Sequence, residues 1–147
     1  MTAYDFITTC ISSFLACIGF SLLYNIHGKN LFIASLCGTF SYAVFLIADI
    51  LFPSLVFPYF LSGFSIAIYS EVAARIFKAP VTVYLIPGII PLVPGLTIYR
   101  TMQACLSSDL ALFGTGLFNT FKIGGAITLG LILASTFFRL FTTHQKQ

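Results

Sequence analysis

Arg100, Lys122 and Asp49 stand within stretches otherwise apolar enough to enter a bilayer. An ionisable side chain at the centre of a spanning helix costs roughly 2.5–3.5 kcal/mol on insertion scales, so it needs an interior partner or a water-filled cavity. Arg100 and Lys122 are cations suited to a carboxylate. Asp49, at comparable depth, could pair with one and leave the other for a ligand; a ligand with two carboxylates would engage both. The competing reading is that all three snorkel to the interface. Glu71 and Arg75 are four residues apart, so on a helix they share a face and form an internal ion pair. Glu71 is also the acid placed to change charge in proton-coupled transport. Residues for bond-making chemistry do not assemble in the sequence: there is no nucleophile–base pair, phosphate loop or metal-ligand set. An enzyme, a cofactor and a metal are therefore not expected. Cys10, Cys17, Cys37 and Cys105 form no C-x-x-C pair and have no histidine in ligand spacing, which makes them packing residues. His27 falls in a loop and His144 in the tail.

The stretch that must position these groups runs from Lys78 to Met102, K-A-P-V-T-V-Y-L-I-P-G-I-I-P-L-V-P-G-L-T-I-Y-R-T-M. It is apolar, yet it holds Pro80, Pro87, Pro91 and Pro94 with Gly88 and Gly95. Proline removes a backbone donor and clashes with the preceding turn, so the helix is expected to break at Pro87-Gly88 and again at Pro94-Gly95. The spacing predicts a short helical piece over Val81–Ile86, irregular or re-entrant backbone over Pro87–Gly95, and a second helix from Leu96 to Leu106. In hydrocarbon, broken backbone is tolerated only where protein or a water-filled cavity covers it, and transporters use such spans as sites. The helix starting near Gly95 turns free N–H groups and a partial positive charge toward the break, which favours an anion. Its donors would come from Gly88, Ile89, Ile90 and Gly95, with hydroxyls from Thr82 and Thr97. A rigid structural kink is the alternative.

Composition sets the class. Of the residues, 59% are hydrophobic and 7% charged, against roughly a quarter charged in soluble domains, so the chain is expected to be an all-α integral membrane protein in one transmembrane domain. At about 20 residues per span it holds about five, the fourth broken by the Pro/Gly motif. The net charge of +3 is too small and scattered to imply nucleic acid. Spans are expected over Ala3–Tyr24, Leu31–Phe52, from Leu55 or Tyr59 to Phe77, across the broken stretch, and over Phe113–Phe141. Gly114, Gly116 and Gly124-Gly125 are expected to loosen the first half of the last span. Stripes of small residues, namely Ser13/Cys17/Ser21, Ala34/Gly38, Gly63/Ala67 and Ala126/Gly130/Ala134, suit close helix packing. With the N-terminus outside and the C-terminus cytoplasmic, Lys29, Arg75, Lys78, Arg139 and Lys146 all fall inside, while Asp5 and Asp109 fall outside.

From Glu71 to Met102, and above all in P-G-I-I-P-L-V-P-G, the chain resembles the threonine/serine exporter (ThrE) family, most closely its short membrane-only YjjB type. The segment I-G-F-S-L-L-Y-N-I, Ile18 to Ile26, is similar to that family's first helix end. The resemblance implies export of small hydroxy amino acids or of a dicarboxylate such as succinate across the cell membrane, driven by the proton motive force. It implies no enzyme activity, and a partner: a longer family subunit of the YjjP type. It carries over to Glu71, Arg75, Pro87, Gly88, Pro91, Pro94, Gly95, Tyr99 and Arg100, and adds nothing for Lys122 or Asp49. The competing reading is a non-transporting subunit that assembles or stabilises a larger membrane complex.

Overall fold

The protein, as a computed structural model, is described over residues 3–144, without the side chains of residues 3, 139 and 141–144. Lys146 and the side chain of Arg139, both used above to orient the chain, lie outside the described residues. The elements are α1 (Ala3–Leu23), α2 (Lys29–Leu51), α3 (Phe57–Phe77), α4 (Thr82–Ile89), a 3-10 turn (Ile90–Leu92), α5 (Gly95–Leu106) and α6 (Leu110–His144). Among the described residues, four helices are long and apolar enough to cross a membrane; α4 with its turn, and α5, bent by 52° to each other, make a fifth crossing if taken as one span. The chain is an all-α, multi-pass membrane protein.

The small-residue stripes bring the helices together. Gly38 of α2 and Gly88 of α4 meet where a side chain at Gly38 would strike the Cys17 sulfur, and a methyl group at Gly88 would lie 2.6 Å from Ile66 Cδ1. Four helices therefore converge at one level, and Cys17 and Cys37 are buried there as packing residues. Gly63 of α3 faces Ile127 of α6, and Gly130 of α6 faces the Phe60 and Phe64 backbone.

The break is narrower than expected. Helix α4 continues through Pro87 and Gly88 to Ile89. Pro87 forfeits one helical hydrogen bond, but Pro87 and Gly88 are buried in the crossing and the Pro87 carbonyl accepts the Cys17 thiol at 3.5 Å. Packing outweighs the lost donor. The helix then tightens at Ile90–Leu92 and opens only at Val93, whose φ of −62° and ψ of 127° are extended. A residue before proline is pushed out of the helical region, and Val93 yields to Pro94 where Ile90, before Pro91, stays helical.

Helix α6 also departs from expectation. It runs unbroken through Gly114, Gly116, Gly124 and Gly125, and starts earlier because the Asp109 carboxylate accepts the Leu112 N–H at 3.0 Å, an N-cap bond. Glycine lowers helix propensity by only about 1 kcal/mol, too little to open a helix of 35 residues.

Helix directions settle how the broken segment runs. Phe60 and Gly63 lie against Ile127 and Gly130, Glu71 beside Leu131–Thr136, and Arg75 over Phe138. Helices α3 and α6 are therefore parallel, and the chain between them returns to the end where α3 begins. It runs from one end of the bundle to the other rather than doubling back. By Leu92 it is already level with Tyr59 near the start of α3, packed with Ile123 and Ile127. Helix α5 and the first third of α6 extend past that layer as a hairpin, and among the described residues α5 packs on α6 alone.

Candidate functional site

The hairpin holds a polar groove. It measures about 620 Å³ and runs between Thr97, Arg100 and Gln103 of α5 and Thr115 and Asn119 of α6, with Leu96 and Leu112 as apolar walls. Helix α5 suits this role because Thr97, Arg100, Thr101 and Ala104, with Ser107 just past its end, recur at helical spacing, while Tyr99, Met102 and Leu106 face out. The two helices approach closely because position 116 is glycine: a side chain there would strike the Thr101 hydroxyl.

The groups in the groove divide by chemistry. The Arg100 guanidinium supplies up to five N–H donors and a fixed positive charge. The Thr101 hydroxyl donates to the Thr97 carbonyl at 2.7 Å, Thr115 to Ala111 at 3.1 Å, and Ser107 to Gln103 at 3.0 Å. With their protons committed, these oxygens face the groove as acceptors. The amides of Gln103 and Asn119 offer both functions. Leu96 and Thr97 sit in the first turn of α5, where backbone N–H groups have no acceptor within the helix. No carboxylate lines the groove among the described residues. The arrangement can take a carboxylate at Arg100 and an ammonium or hydroxyl among the oxygens.

Of the residues singled out from sequence, Arg100 lies in the groove, with Pro94 and Gly95 at the bend beside it. The Gly95 N–H is committed to the Val93 carbonyl at 2.7 Å, so it is not a free donor. Pro87 and Gly88 belong to the helix crossing, as do the helical Ile89 and Ile90, and Pro91 is half-buried in the turn. Tyr99 is exposed and outside the groove. The Lys122 ammonium lies 4.5 Å over the Phe118 ring, one turn beyond Asn119, and does not line the groove. Asp49 is on α2, which packs on neither α5 nor α6, so it pairs with neither Arg100 nor Lys122 among the described residues. Thr82 opens α4 at the other end of the crossing.

Glu71 and Arg75 pair as expected, at 3.8 Å. The Glu71 side chain is 19% exposed and faces a cleft toward Ser135 and Thr136 of α6. Arg75 stacks over Phe138 at 5.2 Å.

Gln103, Thr115 and Asn119 were missed. The signal was present: Thr115 and Asn119 are four apart on one face of α6, at hairpin distance from Arg100. A family model described as Threonine/Serine exporter, ThrE, matches residues 9–137. No curated protein and no solved structure matches the chain.

Proposed function

The chain belongs to the threonine/serine exporter family, and from that premise we propose that it is one subunit of a secondary exporter whose substrate passes through the α5–α6 groove. The observation that carries this is the groove itself: Arg100 beside neutral amide and hydroxyl groups, with no carboxylate in the lining. Arg100 binds the substrate carboxylate through charge-assisted hydrogen bonds. The hydroxyl and amide oxygens receive the ammonium. This division favours a zwitterionic hydroxy amino acid such as threonine or serine over a dicarboxylate such as succinate, whose second charge would meet no cation in the lining.

A longer family subunit of the YjjP type closes the groove. Helix α5 packs on α6 alone, which leaves Arg100, Gln103 and Asn119 open on one side, and lipid there would be costly. The assembly sits in the cell membrane with the N-terminus outside and the C-terminus cytoplasmic. Lys29, Arg75 and Lys78 gather at one end of the bundle, and Asp5, Asp49 and Asp109 at the other.

The test is release of labelled threonine, serine or succinate from proteoliposomes holding this chain, the longer subunit, or both. Threonine and serine should leave only when both chains are present. Equal release by the longer subunit alone would make this chain a scaffold, and preferential succinate release would overturn the substrate assignment.

Glu71 is the proton-coupling group in this reading: it is a mostly buried carboxylate on α3 with Arg75 as its counter-ion and a cleft beside it. Its substitution separates coupling from binding. In Glu71→Gln, efflux should lose its response to an imposed pH gradient, while threonine–threonine exchange stays within about threefold of wild type. Unchanged gradient dependence would leave Glu71 a structural partner of Arg75.

A further inference from the structure

Between α2 and α3 lies a second groove, about 450 Å³, that the transport reading does not use. Ile33 and Phe40 of α2 and Ile68, Val72, Ile76 and Phe77 of α3 form its walls, and no charged side chain lines it. Along α3 the lining extends from Ser65 to Phe77, about 18 Å at 1.5 Å per residue. That is close to the depth of one leaflet of a hydrocarbon core about 30 Å thick.

Two lysines stand where the helices that wall the groove begin and end, at the same end of the bundle. Lys29 begins α2 one turn before Ile33, on the same helix face. Lys78 directly follows Phe77 and caps α3 in a left-handed turn, with φ of 52°. Both are exposed. Among the described residues no carboxylate offsets them: Glu71, the acidic residue of this end, faces α6 and pairs with Arg75, and Asp5, Asp49 and Asp109 belong to the opposite end. An apolar slot one leaflet deep with two cations at the headgroup level is complementary to a lipid with a negative phosphate and no neutralising amine. Basic pockets between membrane helices recognise such lipids.

We propose that this groove binds an anionic phospholipid of the leaflet at the lysine-bearing end, one acyl chain along Ile68, Val72 and Ile76 and the phosphate between Lys29 and Lys78. Apolar walls alone would accept any lipid; the lysines make the site selective.

The chain contains no tryptophan, so a single introduced one reports only its own surroundings. Ile76→Trp, at a position 65% exposed on the groove rim, is reconstituted in vesicles of phosphatidylglycerol and phosphatidylcholine, with brominated chains on one lipid or the other. Bromine on phosphatidylglycerol should quench it with an apparent preference of about tenfold or more, each lysine contributing roughly fivefold. In Lys29→Gln/Lys78→Gln the preference should fall to about one. Leu133→Trp, on the outward face of α6 and 52% exposed, should show none in either background. Val72→Trp reads the same groove if the first variant does not fold. Equal quenching by both lipids at Ile76→Trp, a preference that survives loss of both lysines, or the same preference at Leu133→Trp overturns the proposal.

Discussion

Replacing Arg100 with alanine is expected to cut threonine efflux about ten- to hundredfold at unchanged protein level. The range follows from the bond removed: a hydrogen bond to a charged group contributes about 1.5–3 kcal/mol, and each 1.4 kcal/mol is tenfold in affinity. Alanine also leaves a substrate carboxylate facing amide and hydroxyl groups with no countercharge. Arg100→Lys keeps the charge but loses the planar fork that matches a carboxylate bidentately, so it should fall between wild type and the alanine variant, at about three- to tenfold. Lys122 supplies the internal control. It lies one turn beyond the groove with its charge over the Phe118 ring, and Lys122→Gln should leave threonine efflux within about threefold. The measurement is release from preloaded cells that co-express the longer subunit, normalised to the membrane content of both chains. Efflux that survives Arg100→Ala would remove this guanidinium from the pathway; a larger loss in Lys122→Gln would move the site toward α6.

How much of this was legible in the sequence depends on the range over which each signal acts. The spans were, because a run of some 20 apolar residues is a local property that a bilayer fixes directly. So was the Glu71–Arg75 pair, since four residues on one helix bring two side chains together whatever else the fold does. Where a proline breaks a helix was not. The sequence marks Pro87, Pro91 and Pro94 alike. The fold separates them: Pro87 is held by buried contacts to α1, α2 and α3, while Val93 and Pro94 lie where the chain leaves the bundle. Tertiary support decides, and it comes from residues about 20 to 70 positions away. Asp49, Arg100 and Lys122 fail to meet for a similar reason. Equal depth along a membrane normal says nothing of position around the bundle, and α2 lies away from the α5–α6 hairpin. Gln103, Thr115 and Asn119 were overlooked because uncharged polar residues are ordinary in a membrane helix; only the hairpin, closed at Thr101 and Gly116, places them opposite Arg100.

The second large effect concerns the joint that holds the groove to the bundle. A methyl group at Gly130 would lie 2.5 Å from the Phe60 carbonyl oxygen and 2.7 Å from the Phe64 nitrogen. These are backbone atoms of a helix and cannot yield as a side-chain tip can. At Gly63 the same test meets the Ile127 carbonyl oxygen at 2.8 Å. Two glycines from facing helices thus set the α3–α6 distance. In lipid, where apolar surface gains little by leaving one apolar medium for another, such close packing is what joins helices. Gly130→Ala should therefore cost about 2–3 kcal/mol, the upper part of the range for overpacked cores, and Gly130→Leu should prevent assembly. Gly124 and Gly125 occupy the same helix with nothing within 4 Å of an added methyl group. Gly124→Ala and Gly125→Ala should be neutral or stabilising by roughly 0.5–1 kcal/mol, since alanine is the better helix former. Thermal unfolding in detergent, followed by circular dichroism, ranks the four variants, and a Gly130→Ala protein that melts with wild type would mean α3 and α6 are not held by this contact. The comparison with Arg100→Ala is informative in itself. Both should lose efflux, but only the glycine variant should lose it by unfolding, because Arg100 stands in a groove that α3 never touches.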